Sequence, residues 1–201
     1  MARASDRADP FEWSGGHPAL DFVNTLDERP AASPIENLVT YRDLVRFAEL
    51  AKLIAPPVAA RLRRRAGPPC ERVAKQARRL REHLHAVLAA ASEGQRVPEI
   101  NLQAITAAIH AAHAARALGS AASSGLADLC WSPAIAPDIP LHACALAIER
   151  LLVEVDRARI RKCGASDCDV YYVDTSKGFR RQWCSMKNCG NREKQRRWRA
   201  H

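Results

Sequence analysis

Apolar side chains recur at intervals of three and four residues along most of the chain before residue 158. In the stretch 70–93, apolar residues from Val73 to Val87 share one helical face, and arginine, lysine and glutamate occupy the opposite face. Strict alternation of apolar and polar residues, which would indicate strands, is rare. The pattern therefore predicts a mainly helical domain over residues 11–158.

Proline, glycine and capping residues divide this domain into separate elements. The predicted helices cover residues 19–26, 41–54, 56–66, 70–93, 98–112 and 141–155. Thr40 and Asp43 have the spacing of a capping box, which marks the start of the second helix. Gly, Ser and Ala dominate residues 117–126, so we expect a loop or a weak β-hairpin there, with a strand at Ala127–Trp131.

Composition excludes a membrane segment. Hydrophobic residues make up 47% of the chain and aromatic residues only 5%, a mix that favours close-packed helices over a β-sandwich. The longest apolar runs, Ala86–Ala91 and Ala143–Ile148, have six residues each, whereas a spanning helix needs about 20. No apolar segment follows Arg3 and Arg7, so a secretory signal is not predicted. We therefore expect a cytoplasmic protein.

Positive charge is confined to the C-terminal end. The formal net charge is +9, and residues 157–201 contain 13 lysines and arginines against four acidic residues. The preceding residues consequently carry no net charge. Such segregation is typical of a module that binds a polyanion, most often nucleic acid, although a solubilising tail is an alternative interpretation.

Four of the seven cysteines form two equally spaced pairs in this basic segment. The pairs are Cys163 with Cys168 and Cys184 with Cys189, and 15 residues separate them. Two tight turns, each supplying two sulfurs, suit one tetrahedral zinc ion, and four thiolates leave no position for catalysis. Two disulfides are an alternative that a reducing compartment opposes, and an iron–sulfur site is another. We expect one structural zinc, without which the C-terminal module unfolds while the helical domain is spared.

The remaining cysteines have no partner at ligand spacing, and we expect them to be small core residues. They are Cys70, Cys130 and Cys144.

Residues 159–201 also contain a predicted hairpin and a predicted helix. Val170–Asp174 is a strand candidate, and Arg180–Trp183 returns towards the second cysteine pair to close the hairpin. Asn191 is expected to cap a helix that carries Trp198, and Trp198 is expected to pack on the hairpin. The order of knuckle, hairpin, knuckle and helix predicts a small treble-clef-like zinc finger.

Seven basic residues of this zinc finger are the candidate nucleic-acid contacts. We expect five of them to contact phosphates: Arg180, Arg181, Lys187, Arg196 and Arg197. Arg192 and Arg199 are expected to reach base edges, because a guanidinium pairs bidentately with guanine. DNA is the favoured partner. RNA is the alternative, because tyrosine and tryptophan residues interleave with the basic ones and suit stacking on unpaired bases.

Two motifs resemble known families. Cys184-x4-Cys189-Gly190-Asn191-Arg192, preceded by Arg-Arg-Gln-Trp183, resembles the CGNR zinc finger. Gly15-Gly16-x-x-x-Leu20-Asp21-Phe22-Val23-Asn24-Thr25 resembles the start of the ABATE domain, which is usually joined to that finger. The resemblance covers nearly the whole chain. It implies a bacterial stress-induced transcription regulator whose finger binds nucleic acid and whose zinc ligands are the four paired cysteines.

The helical domain carries no enzyme motif, and we do not expect an enzyme. A glycine-rich phosphate loop, a nucleophile elbow and a metalloprotease helix motif are all missing from the sequence. Asp21 and Asn24 share one side of the first helix and are candidates for binding a small polar effector, the alternative being a buried hydrogen-bond anchor. A ligand-sensing protein whose finger binds other proteins is therefore a further hypothesis. Regulators of this size often dimerise, so a homodimer is also expected.

Overall fold

The computed structural model describes residues 10–120 and 125–199. Residues 121–124, part of the predicted loop, lie outside the described residues. The predicted mainly helical fold is confirmed. Its helices are α1 (Pro18–Val23), α2 (Tyr41–Leu50), α3 (Pro56–Leu62), α4 (Pro68–Ser92), α5 (Glu99–Ala114) and α6 (Ile139–Glu154).

Proline and capping residues fix where several of these helices begin. Pro18, Pro56 and Pro68 lie in the first turns of α1, α3 and α4, where a missing N–H costs no hydrogen bond. The predicted capping box is present at α2, because Thr40 N donates to Asp43 Oδ2 over 2.7 Å and Asp43 N donates to Thr40 Oγ1 over 3.3 Å. Within the described residues, no helix combines the length and apolar character that a bilayer crossing requires.

The first helix is shorter than predicted. It ends at Val23, and Leu26 instead lies in β1 (Leu26–Asp27), which pairs antiparallel with β2 (Ile35–Glu36). Asn24 is the C-cap residue, and its side-chain amide bonds to the backbone of a distant strand, as described below. The chain therefore leaves the helix one residue after Val23.

The core of the helical domain lies among α1, α2, α4 and α6. Leu20, Phe22, Phe47, Leu84 and Ile148 are fully buried there. The short α1 lies against both α4 and α6, which explains why all its residues after Pro18 are buried. Burial of these apolar side chains supplies the main favourable free energy of folding.

A β-hairpin leaves the helical layer between α5 and α6. It consists of β3 (Arg116–Ser120) and β4 (Ala127–Trp131) in antiparallel register, so the predicted strand at 127–131 is confirmed. Cys130 on β4 is exposed, and the prediction that it belongs to a core is wrong, because the described part of this two-stranded sheet is exposed, as its neighbours Leu118 and Leu129 are. Cys70 and Cys144 are buried as predicted.

The C-terminal module contains a hairpin whose composition differs from the prediction. Its strands are β5 (Ile160–Lys162) and β6 (Tyr171–Val173), followed by α7 (Asn191–Arg199). The predicted second strand at Arg180–Trp183 is wrong. The backbone of this segment forms hydrogen bonds outside the hairpin. The Asp174 carboxylate accepts from Arg181 N over 3.0 Å, and Gly164 N donates to Gln182 O over 2.8 Å.

Strand β6 contributes side chains to two cores. Successive side chains of a strand point to opposite faces. Tyr171 and Val173 accordingly pack into the core of the helical domain, whereas Tyr172 packs against the four paired cysteines. The C-terminal module is therefore built directly onto the helical domain through a strand of three residues.

Candidate zinc site and nucleic-acid interface

The four paired cysteines converge on one point. Their sulfur atoms all lie within 4.8 Å of one another. Cys184 Sγ is 3.5 Å from Cys189 Sγ and 3.8 Å from Cys168 Sγ. A tetrahedron with zinc–sulfur bonds of about 2.3 Å has edges of about 3.8 Å, so the arrangement fits one zinc ion.

The first pair of cysteines lies in the turn between β5 and β6. Cys163 N donates to Val170 O over 2.9 Å, which continues the hairpin ladder by one bond. Cys168 N donates to Ala165 O over 3.1 Å and closes the tight turn between the two sulfurs. Cys184 N then donates to Cys163 Sγ over 3.4 Å, which joins the second pair to the first.

The second pair of cysteines surrounds a wide helical turn. Cys189 lies in a π-helical turn, Met186–Gly190, that leads directly into α7. A Cβ on Gly190 would lie 2.5 Å from Met186 Sδ and 3.3 Å from the Trp183 ring, so a larger residue would fit only if the Met186 side chain moved. The prediction that Asn191 caps the helix is wrong, because Asn191 is already helical and Ser185 Oγ accepts from Asn188 N over 3.2 Å instead.

The chemistry of the four sulfurs favours a divalent cation. Hydrogen bonding to Cys163 raises the pKa of Cys168 to about 12. Hydrogen bonding to Cys163 and Cys168 likewise raises the pKa of Cys184, whereas the hydrogen bonds from Cys168 and Cys184 lower the pKa of Cys163. Without an ion, the cluster therefore favours one thiolate that accepts from neighbouring thiols. A divalent ion offsets the repulsion among four thiolates and stabilises all of them in the deprotonated form. Four thiolates without a carboxylate or an open position fit one structural zinc ion, as predicted.

An arginine of α7 contacts the zinc cluster from outside. Arg192 Nη2 donates to Cys189 Sγ over 3.3 Å and to Asp167 Oδ1 over 2.9 Å. Arg196 donates to Asp167 Oδ2 over 2.6 Å and to Ser166 Oγ over 2.8 Å. The two guanidiniums therefore fix α7 to the first cysteine turn, and one of them offsets thiolate charge. Sequence reasoning missed this role, which only the three-residue spacing from Cys189 could have indicated.

The structure divides the seven predicted nucleic-acid contacts into two groups. Arg181 points inward: its guanidinium lies 4.3 Å from the centre of the Tyr172 ring, and its Nε donates to Trp183 O over 2.9 Å. Arg192 and Arg196 bind the first cysteine turn, as described above. The other four are exposed and, within the described residues, make no side-chain hydrogen bond or ion pair: Arg180, Lys187, Arg197 and Arg199.

Trp198 does not pack on the hairpin, so that prediction is wrong. Its side chain is 89% exposed. The faces it was expected to cover are already occupied, since Arg181 lies over Tyr172 and Gly190 lies against Trp183. An exposed tryptophan therefore lies between the exposed Arg197 and Arg199 on α7.

The loop after β6 presents further side chains that sequence reasoning missed. Buried Asp174 accepts from Ser176 N over 2.8 Å and from Arg181 N over 3.0 Å, which gives the loop a fixed path. Phe179 at its tip has a φ of 54°, and the guanidinium of Arg159 lies 4.4 Å from its ring centre. The Asp-Thr-Ser sequence is typical of such a side-chain-closed turn and was the available signal.

Asp21 and Asn24 serve as anchors in the structure. Asp21 Oδ1 accepts from Gly15 N over 2.8 Å. Asn24 Nδ2 donates to Tyr171 O over 2.9 Å, and Asn24 Oδ1 accepts from Tyr171 N over 3.1 Å. Both side chains are buried. These contacts correspond to the anchor alternative, and effector binding at this pair stays a prediction.

A four-cysteine site between a β-hairpin and a helix defines a zinc-finger protein. Two family models match the chain, "Putative stress-induced transcription regulator" (ABATE) over residues 16–155 and "CGNR zinc finger" over residues 159–201. The chain belongs to the ABATE family and carries a CGNR zinc finger. Neither family is described as an enzyme. No curated protein matches the chain.

Proposed function

We propose that this protein is a transcription regulator that binds DNA through its C-terminal zinc finger. The observation that supports the proposal most strongly is the concentration of the whole net charge of +9 in residues 157–201. A cationic surface of this kind neutralises phosphates and releases counterions. The family description as a stress-induced transcription regulator agrees with this role.

The zinc cluster gives the cationic surface a fixed form. Exposed Arg197 and Arg199 lie on α7, which the paired Arg192 and Arg196 hold against the first cysteine turn. Exposed Arg180 lies on the loop that Asp174 organises. Preorganised donors lose less conformational entropy on binding than donors on a flexible tail. This favours a binding module over the alternative of a solubilising tail.

The side-chain contacts support a revised proposal for the roles of the individual residues. Arg180, Lys187 and Arg197 are proposed to contact phosphates, and Arg199 is proposed to reach a base edge. Arg181, Arg192 and Arg196 are proposed to act indirectly, because their guanidiniums hold the finger together. Loss of one of the exposed cations should therefore weaken DNA binding without loss of zinc.

A salt series with matched variants tests the proposal. Binding to a mixed-sequence DNA duplex of 30 base pairs is measured by fluorescence anisotropy. With four phosphate or base contacts, the logarithm of affinity should fall against the logarithm of salt concentration with a slope of about −4.

Arg197→Gln should reduce the magnitude of this slope by about one. Arg72→Gln on α4, an exposed arginine of the helical domain, is the matched control and should leave it unchanged. A flat salt response of the wild type would reject the proposal.

RNA is a second candidate because of Trp198. An exposed tryptophan flanked by two arginines suits stacking on an unpaired base. Competition between the DNA duplex and single-stranded RNA decides between the two partners. Trp198→Ala should weaken RNA binding by about tenfold, since stacking contributes about 1–3 kcal/mol per base. If the variant affects neither partner and the duplex competes better, DNA is the partner.

A further inference from the structure

A cavity of about 930 Å³ lies between the helical domain and the hairpin of the zinc finger. Helices α4, α5 and α6 form three of its walls, and β5 with Tyr171 of β6 forms another. The apolar part of the lining consists chiefly of Val87, Leu88, Leu102, Leu151, Leu152 and Ile160. Size and lining are typical of a small-molecule site.

The polar groups of the cavity gather at one end, where α4 finishes. Arg157 Nη2 donates to Ala91 O over 2.9 Å, so its guanidinium is held beside the last turn of α4. Ser92 is the next residue of that turn. Lys162 and Tyr171, which also line the cavity, are direct partners in the β5–β6 register. The cavity is therefore amphipathic.

Tyr171 provides an unused hydrogen-bond donor at this end. Its side chain is only 1% exposed, and its hydroxyl lies beside Ser92 without a hydrogen bond of ordinary geometry within the described residues. The neighbouring Ser92 hydroxyl donates to Ala89 O over 2.8 Å. Burial raises the pKa of the Tyr171 phenol, which keeps it protonated at neutral pH. A buried hydroxyl without a partner is unfavourable, and an acceptor entering the cavity would relieve this.

The charges at this end are complementary to an anion. Among the described residues, Arg157, Arg161 and Lys162 line the cavity together with one acidic residue, Asp156. The Asp156 carboxylate already accepts from Ala158 N over 2.9 Å. Lys162 also pairs with Asp169, so its charge is partly neutralised, and the guanidiniums of Arg157 and Arg161 supply most of the attraction for an anion. A cationic ligand is disfavoured by the same arrangement.

We propose that this cavity binds a small apolar carboxylate. The hydrocarbon part would lie against the leucines of α4, α5 and α6, and the carboxylate would accept from Arg157 and the Tyr171 hydroxyl. Because β5 ends next to Cys163, a bound ligand would also stabilise the hairpin that carries the first two zinc ligands. Regulation of nucleic-acid binding by the ligand rests on the proposed function, whereas ligand binding itself does not.

Calorimetry with octanoate as the probe tests the site on the zinc-loaded full chain. Octanoate should bind saturably with one site per chain, and 1-octanol, which lacks the charge, should bind at least tenfold more weakly. Ala91→Phe, which fills the cavity, should weaken octanoate binding at least tenfold. Ala108→Phe on α5 is the matched control, because Ala108 lines a different cavity, and it should change the affinity less than twofold.

Tyr171→Phe should change stability and octanoate affinity in opposite directions. Removal of a hydroxyl without a partner should raise the melting temperature of the unliganded protein and weaken octanoate binding several-fold.

A saturating octanoate concentration should also slow the transfer of zinc to a chelator, a readout that does not involve nucleic acid.

Several results would overturn the proposal. They are no octanoate binding by the wild type, equal affinity for 1-octanol, unchanged affinity of Ala91→Phe, and an unchanged rate of zinc transfer. Dissociation of a dimer by Ala91→Phe without loss of octanoate binding would assign the cavity to a protein interface instead. Loss of DNA binding in the salt series would leave the calorimetric result standing, so the two proposals fail separately.

Discussion

At the scale of single residues, the Asn24 side chain forms the hydrogen bonds that a neighbouring strand would form with the free edge of β6. Its amide donates to Tyr171 O and accepts from Tyr171 N, as the backbone of a paired strand would do. Val173 N donates to Gly15 O over 2.8 Å on the same side of β6. One side chain and one glycine carbonyl, from the residues on either side of the first helix, thus hold the zinc-finger strand to the helical domain.

Asn24→Ala should destabilise the protein by about 3 kcal/mol, because two buried backbone groups of Tyr171 lose their partners. Urea unfolding followed by circular dichroism measures the change. Gln103→Ala, which removes an exposed amide from α5, is the control and should change stability by less than about 0.5 kcal/mol. A loss below about 1 kcal/mol for Asn24→Ala would show that water replaces the amide.

Asp21 makes stability depend on pH. Burial raises the pKa of Asp21 from 3.8 to about 6, although the hydrogen bond from Gly15 opposes the shift. Because the folded state holds this proton more tightly, the stabilisation is complete below pH 3.8 and is lost as the pH rises through about 6. Wild type should therefore lose about 2 kcal/mol relative to Asp21→Asn between pH 4 and 7. A constant difference between their unfolding free energies across that range would contradict the assignment.

At the scale of elements, the sequence predicted the helices whose apolar pattern repeats over many residues. The helix α4 was found because its apolar stripe repeats over 25 residues, and α2 because a capping box marks its start. Strand β6 was located, but its partner was not, since three residues carry too little alternation to fix a register. The cysteine spacing identified the zinc ligands. The outer contacts of Arg192 and Asp167 depend on tertiary geometry that no local pattern contains.

Arg192 is one of the two arginines that attach helix α7 to the first cysteine turn, and of the two it alone contacts a zinc-ligand sulfur among the described residues. Arg192→Gln should increase the rate of zinc transfer to a chelator by about tenfold, because an outer-shell donor to Cys189 and the ion pair with Asp167 are lost. Arg199→Gln, on the same helix and without a side-chain partner within the described residues, is the matched control for zinc transfer. Equal transfer rates for the two variants would mean that the Arg192 contact with sulfur has no energetic role.

At the scale of the whole molecule, the zinc finger and the helical domain are mechanically joined. Besides Asn24, a side-chain contact links them: Asp169 Oδ2 lies 2.8 Å from His85 Nε2 of α4. Within the finger, Asp169 also pairs with Lys162. Tyr171 adds an edge-on contact with the His85 ring at 5.7 Å. These contacts mean that the position of the cationic surface relative to the helical domain is fixed rather than set by a flexible linker.

The shared strand changes the expectation that loss of zinc spares the helical domain. Zinc binding supplies on the order of 10 kcal/mol to an isolated finger, and its loss should release β6, which contributes Tyr171 and Val173 to the helical core. Chelation, or Cys184→Ser, should therefore increase the rate of amide hydrogen exchange in α1 by about tenfold or more, since that helix loses its contacts with β6.

The control variant Cys130→Ser removes an exposed cysteine outside the cluster and should leave the exchange rate unchanged. Hydrogen exchange read by mass spectrometry measures both variants. Unchanged protection of α1 after complete zinc removal would show that the helical domain holds β6, or tolerates its loss, without help from the metal.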